Sequence, residues 1–209
     1  MIVIGVDPGT RHLGWGVLER SGTRVTHLAH GVIDTDTDAP LAERLVTIDT
    51  ELEVILKEHR PRVGAVEGLF FAKDAQSAAK LGHARGVILL RLARAGLDIR
   101  EYAPALVKRS IVGKGAADKK QVAMVITAIL RLPEPPRSDA ADALAIALTH
   151  LNASGFDERM AASSSSGGSP SPAEVLRAAR AKAPKIPPAV QALIAQAKAK
   201  AKGSKGRPI

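Results

Sequence analysis

The chain has 209 residues, with 30 Lys and Arg against 21 Asp and Glu, and a formal charge of +9. That length suits one ordinary domain with an appendage or two very small domains, and the positive surplus favours a polyanionic partner such as nucleic acid or an anionic membrane. Cysteine is absent, which excludes disulfides, thiolate catalysis and Cys-based zinc or iron–sulfur sites. Hydrophobic residues make up 45% of the chain and aromatics 2%, so Ala, Val, Leu and Ile must build the core. No apolar run reaches the ~18–20 residues of a membrane span. No basic n-region stands before an apolar stretch at the N-terminus, so a signal peptide is not expected. A soluble, cytoplasmic protein without membrane contact is expected.

Met1–Asp7 is a short apolar run ending in a carboxylate and predicts a buried strand. Pro8–Thr10 is a turn, Gly14–Leu18 a second strand, Ser21–Gly22 a turn and Arg24–Ile33 a third strand, together an antiparallel meander. Leu41, Leu45, Ile48, Leu52, Ile55 and Leu56 recur at helical spacing, predicting a helix over Ala39–His59 that Pro61 ends. Val63–Glu67 is another short strand ending in a carboxylate. A long helix follows over Ala75–Ala95, a strand over Leu97–Tyr102, and helices over Pro104–Ile111, Asp118–Leu130 and Asp139–Leu151. This order predicts an α/β fold: a mixed five-stranded sheet, an antiparallel meander followed by parallel strands, flanked by helices.

Charge is distributed unevenly. Residues 1–72 are net −4, residues 73–137 net +8 and residues 138–156 net −2. Residues 157–209 hold 10 basic and 3 acidic side chains, a net +7. An acidic region beside a basic one fits cation ligands beside a phosphate-binding surface, although a solvated helix face with scattered Lys and Arg reads equally well. Three segments are expected: a domain over 1–156, a flexible Ser/Gly/Pro linker over 157–172, and a basic Ala/Lys-rich tail over 173–209, mostly disordered or transiently helical. The tail serves either electrostatic DNA or RNA affinity or solubility alone.

Asp7 and Glu67 each end a strand, where α/β folds place their sites. Asp139 and Asp142 are three residues apart on a helix and share a face. Each acid has an ordinary explanation: a turn residue for Asp7, an Arg partner for Glu67, a helix-dipole charge for Asp139. Two acids on one face of an otherwise apolar helix repel each other and are costly to desolvate, and a metal ion between them removes both problems. Four oxygen ligands without Cys suit a hard cation such as Mg²⁺ or Mn²⁺.

Ile4–Thr10, Gly14–Val17, Val66–Lys73, Lys80–Val87 and Ser138–Ala147 resemble, in order and spacing, motifs of the RuvC family, Holliday-junction resolvases with a ribonuclease-H-like fold. The resemblance covers residues 1–156. It implies that Asp7, Glu67, Asp139 and Asp142 are the catalytic acids and metal ligands of a homodimer. Such a dimer nicks two opposing strands of a four-way DNA junction in recombination and repair, leaving 5′-phosphate and 3′-hydroxyl ends. It also implies a RuvA–RuvB branch-migration complex as partner. Two ions per subunit, ~3.5–4 Å apart, suit in-line displacement at phosphorus, and Asp7 is expected to bridge them.

Phosphate contacts are expected from Lys73, Lys80, Arg85, Lys108, Arg109, Lys114, Lys119 and Lys120. The resemblance places Lys108 and Lys119 where the family carries lysines implicated in DNA contact or catalysis, and it adds Lys119 to the catalytic set. Phe70 and Phe71 either stack on unpaired bases or pack in the core, and Phe70 matches the family's base-stacking position. Gly68 departs from a common Gln of that pattern, which bears on cut-site preference. Ala78, Ala79, Gly82 and Gly86 line one helix face, suiting either a dimer seam or packing on the chain's own sheet. A sugar-kinase or actin-like ATPase shares the Asp7–Thr10 hairpin pattern, but a second phosphate hairpin and an adenosine motif are missing. A nuclease for RNA–DNA hybrid or ribosomal-RNA precursors would use the same chemistry, and a non-catalytic junction binder would not need four intact acids.

Overall fold

The computed structural model describes residues 1–68, 75–113 and 118–164. Five strands form one sheet: β1 (Ile2–Asp7), β2 (His12–Ser21), β3 (Arg24–Asp34), β4 (Val63–Glu67) and β5 (Asp98–Tyr102). Among the described residues, five helices accompany them: α1 (Leu41–His59), α2 (Ala75–Arg94), α3 (Pro104–Val112), α4 (Lys119–Leu130) and α5 (Ser138–Ser164). The strand order is β3-β2-β1-β4-β5. β1 to β3 pair antiparallel as the expected meander, and β1–β4 and β4–β5 pair parallel. β1 is therefore the central strand. The mixed sheet and its flanking helices are those expected from the sequence. The chain divides into two units, Met1–Glu158 and Arg159–Ile209. The first holds the whole sheet, and of the second only residues 159–164 are among the described ones, as helix.

Alternation along the strands sends side chains to two unlike faces. Ile4, Val6, Leu13, Val17, Ile33 and Val66 join one buried cluster with Ile48, Leu52, Ile55 and Leu56 of α1 and Ala84, Ile88 and Leu92 of α2. The opposite face receives α5, whose Ala140, Ala141, Ala143, Leu144, Ala145, Ile146 and Ala147 are buried. Here the strands offer glycine. A Cβ on Gly5 would stand 2.0 Å from the Ala143 carbonyl oxygen, and one on Gly14 would stand 1.9 Å from that of Asp139. Neither distance is tolerable, so the helix backbone rests directly on the strand backbone because these two positions lack side chains.

Two differences from the sequence reading are physical. α5 runs on to Ser164, past the expected end at Leu151; Asn152, Ser154 and Gly155 are poor helix formers but do not stop it. A β-bulge shifts the β2–β3 register between Val17 and Leu18, so that Val17 faces Ala29 and Leu18 faces His27. Leu28 is the extra residue, and the bulge turns His27 and His30 to one face, with ring nitrogens 2.8 Å apart.

Candidate active site

The parallel pairing of β1 and β4 sets the first two acids side by side. Val6 is in register with Val66, so the next residues, Asp7 and Glu67, emerge together at the sheet's carboxyl edge. Ile4, Val6 and Val66 face α1 and α2, so by alternation Asp7 and Glu67 project to the α5 side. Gly14 is the ladder partner of Asp7 and is also the seat of the Asp139 backbone. The first turn of α5 thus lies over the strand end that carries Asp7, and Asp142 follows one turn later.

The acids feel one another. Burial, then the charges of Glu67 and Asp142, push the Asp7 carboxyl up to about 8, with Asp139 adding and Lys119 opposing. Burial and the Asp142 charge raise Glu67 as well, against Lys119 and Lys108. Lys119, the first residue of α4, sets its Nζ 3.1 Å from Asp142 Oδ2. Burial pulls its proton affinity down, but the Asp142 hydrogen bond and the charges of Asp142, Asp7 and Asp139 more than offset this. A capping box fixes that helix start: Asp118 Oδ1 accepts from Gln121 N at 2.8 Å, and Gln121 Oε1 accepts from Asp118 N.

The donor set is oxygen-only and short of positive charge, which is the chemistry of a hard divalent cation site. Among the described residues, no three acidic or His side chains are spaced to hold an ion as they stand. The charges of Glu67, Asp142 and Asp139 all act on Asp7, so the four carboxylates share one neighbourhood, and Lys119 occupies an oxygen of Asp142. The four acids fit a hard cation by the chemistry of their donors, and as they stand they do not form a coordination shell.

Of the expected phosphate contacts, Lys108 lies on α3 close enough to act on Glu67, and Arg109, Lys120 and Lys80 are exposed. Arg85 stands apart. Its side chain is 13% exposed and its Nη2 pairs with Glu101 Oε2 at 2.5 Å, tying α2 to β5. Phe70, Phe71, Lys73 and Lys114 lie outside the described residues. Around the acids the structure adds residues that no local pattern marked. Tyr102, paired with Glu67 across β4–β5, shares a 2.7 Å hydrogen bond with the buried His150 of α5. Ser110 and Thr149 join α3 to α5 at 2.5 Å. Such partners are separated by tens of residues and leave no periodic signal.

The sequence profile described as crossover junction endodeoxyribonuclease RuvC matches residues 3–150. The chain belongs to the RuvC family. A RuvC of Sorangium cellulosum (strain So ce56) is 69% identical over 163 residues, covering 78% of this chain and 91% of that protein. A RuvC of Caulobacter vibrioides is 46% identical over 159 residues, covering 76% and 94%. Among solved structures, Thermus thermophilus RuvC in complex with Holliday junction substrate superposes with a TM-score of 0.69 at 40% identity, covering 74% of this chain and 94% of that one. A yeast mitochondrial Holliday junction resolvase, at 13% identity and a TM-score of 0.51 over 70% of this chain and 76% of that one, shares the fold alone. The RuvC family is one of endodeoxyribonucleases, which sets aside the ATPase reading of the Asp7–Thr10 turn.

Proposed function

We propose that the chain resolves four-way DNA junctions by metal-dependent nicking of two opposing strands, leaving 5′-phosphate and 3′-hydroxyl ends. Asp7, Glu67, Asp139 and Asp142 would hold the cations, two Mg²⁺ or Mn²⁺ per subunit. The observation that carries this is the meeting of adjacent parallel strand ends with the acidic turn of α5, in a chain 69% identical to a named RuvC.

When bound, such a cation pair activates water and stabilises the leaving oxygen of an in-line displacement. The residues supply the frame. Asp7 sits at the centre of the four acids, at the end of the central strand. Lys119, 3.1 Å from Asp142, would set positive charge against a phosphate entering the cluster, the catalytic role expected for it. Lys108, Arg109 and Lys120 would extend that charge along the DNA backbone, with Lys80 of α2, and Lys73 and Lys114 would add phosphate contacts. Phe70 and Phe71 follow Glu67 and supply faces for unpaired bases.

A two-fold substrate cut twice calls for a two-fold enzyme. The sheet-facing side of α2 is Ala84, Ile88 and Leu92, while Cβ positions on Gly82 and Gly86 would meet open space among the described residues. This supports homodimerisation through the outer face of α2, rather than packing of that glycine face on the chain's own sheet. We read residues 1–156 as the nuclease domain, with α5 continuing through 157–164 where a linker was expected, and residues 165–209 as a linker and tail that add electrostatic DNA affinity. Action in the cytoplasm with a RuvA–RuvB complex completes the reading. Among the described residues, no helix is long and apolar enough to cross a membrane.

The test is incubation with a synthetic four-way junction, a linear duplex and an RNA–DNA hybrid, with and without Mg²⁺ or Mn²⁺. Paired symmetric nicks in the junction alone, only with metal, are expected. Cleavage of hybrid alone would overturn the substrate, and cleavage in EDTA would overturn the metal.

A further inference from the structure

We propose that the end of β3, Asp34 with Thr35, is a positioning hub that locks the strand-borne and helix-borne carboxylates into one frame. The proposal rests on the reading that Asp7, Glu67, Asp139 and Asp142 carry the chemistry. None of the hub's residues is an acid of that set.

Asp34 binds the entry to α5. Arg137 donates to it through both terminal nitrogens, Nη1 to Oδ2 at 2.5 Å and Nη2 to Oδ1 at 2.9 Å. His12 Nδ1 lies 2.6 Å from the same Oδ1. Arg137 immediately precedes α5, and its carbonyl accepts from Ala141 N at 2.9 Å, a bond of the helix's first turn. Asp139 is two residues further on. A two-pronged guanidinium–carboxylate pair fixes direction as well as distance, so Asp34 sets where the acidic turn begins.

Thr35, the next residue, binds the turn that leaves Asp7. Its hydroxyl donates to the Thr10 carbonyl at 2.6 Å, and its backbone N–H donates to the Arg11 carbonyl at 3.0 Å. Arg44 of α1 donates from Nε to the Thr35 hydroxyl at 3.1 Å and from Nη2 to the Thr10 carbonyl. Thr35 is buried. The Pro8–Arg11 turn, and Asp7 with it, is therefore held from the same place as the start of α5. Asp7 and Asp139 come from chain segments more than 130 residues apart, and two consecutive residues brace both.

The exposure of the Asp34–Arg137 pair makes the idea testable. The two side chains are 50% and 55% exposed, so the pair adds little to global stability. Its loss should loosen the relative placement of the acids without unfolding the protein. This is a positioning role, and the cation requirement reports it.

The experiment uses the full chain with Asp34→Asn, Arg137→Gln, Arg137→Lys and the double variant Asp34→Asn/Arg137→Gln. Single-turnover junction cleavage is followed against Mg²⁺ concentration, and junction affinity is measured in EDTA. The Mg²⁺ needed for half-maximal cleavage should rise about tenfold for Asp34→Asn and Arg137→Gln, the scale at which orienting partners act on metal sites. Arg137→Lys, which keeps the charge and one prong, should rise less. The double variant should be no worse than either single one, because the pair acts as a unit. Junction affinity in EDTA should not change. Weakened junction affinity with an unchanged Mg²⁺ requirement would make Arg137 a phosphate contact and overturn the hub. Asp7→Asn separates the two levels of the argument. If it still cuts, the assignment of the acids fails; if it is inactive while the Asp34 and Arg137 variants follow the wild-type curve, the hub alone fails.

Discussion

The two faces of the sheet are packed by different rules. Toward α1 and α2, large side chains meet large side chains, Ile4 and Val6 against Leu52, Ile88 and Leu92. Toward α5, backbone meets backbone over Gly5 and Gly14. The first face can yield to a change of shape by repacking; the second, at Gly5 and Gly14, meets helix backbone and has no side chain there to move. The unyielding face is the one that carries all four acids. Rigid seating is used where carboxylates from a strand and a helix must keep a fixed separation.

The largest effect that would test this contrast is Gly5→Ala. One methyl group would stand 2.0 Å from the Ala143 carbonyl oxygen, so the helix must lift. Stability should fall by about 3 kcal/mol or more, at the upper end of overpacking costs, and cleavage should be lost with it. Denaturant midpoints and junction cleavage check both. Leu52→Ala on the other face should cost about 2–5 kcal/mol yet leave the Mg²⁺ dependence of the surviving activity unchanged. A shifted Mg²⁺ curve would show that the faces are mechanically coupled. Asp7→Asn should move the two properties in opposite directions. Cutting should stop, while the metal-free protein should gain about 0.5–2 kcal/mol, the usual yield when a site built for function is relieved of its strain. Melting in EDTA measures the gain.

The smallest effect is in pH. Burial holds His150 of α5 below its ordinary value of 6.5, with Arg100 adding to the effect. Unfolding therefore takes up a proton as the pH falls below that value. The stability tied to a neutral His150 is whole above the unfolded value and is lost as pH falls through the lower folded one. His27 and His30 act in the same direction. His150→Gln should reduce, without abolishing, the loss of urea resistance between neutral and acidic pH. An unchanged slope would assign the effect to β3.

The meeting of the four acids was largely legible in the sequence, and its bracing was not. Asp7 and Glu67 stand out because a short apolar run ends in a charge, and Asp139 and Asp142 because helical periodicity puts two acids on an apolar face. These are local patterns. Arg137 reaches Asp34 across 103 positions, and Arg44 reaches Thr10 across 34. Nothing in either segment announces the other. Gly5 and Gly14 read as ordinary strand glycines until α5 is laid over them. Arg85 misleads for the converse reason: a basic residue in a basic helix looks solvent-facing, but Glu101 draws it inward. The bulge at Leu28 breaks the alternation by which strand faces are read, so the His27–His30 contact was hidden as well.

The parallel pairing of β1 with β4 also sets an order of events. β1 can form its hairpin with β2 as soon as both exist, because they are neighbours in the chain. Its other edge stays open until α1 has crossed over and β4 arrives, and the seat on Gly5 and Gly14 stays empty until α5 is made. Non-local contacts of this kind form late. On the ribosome, the strand made first is therefore completed last, and a nascent chain shorter than about 150 residues has no assembled acid cluster.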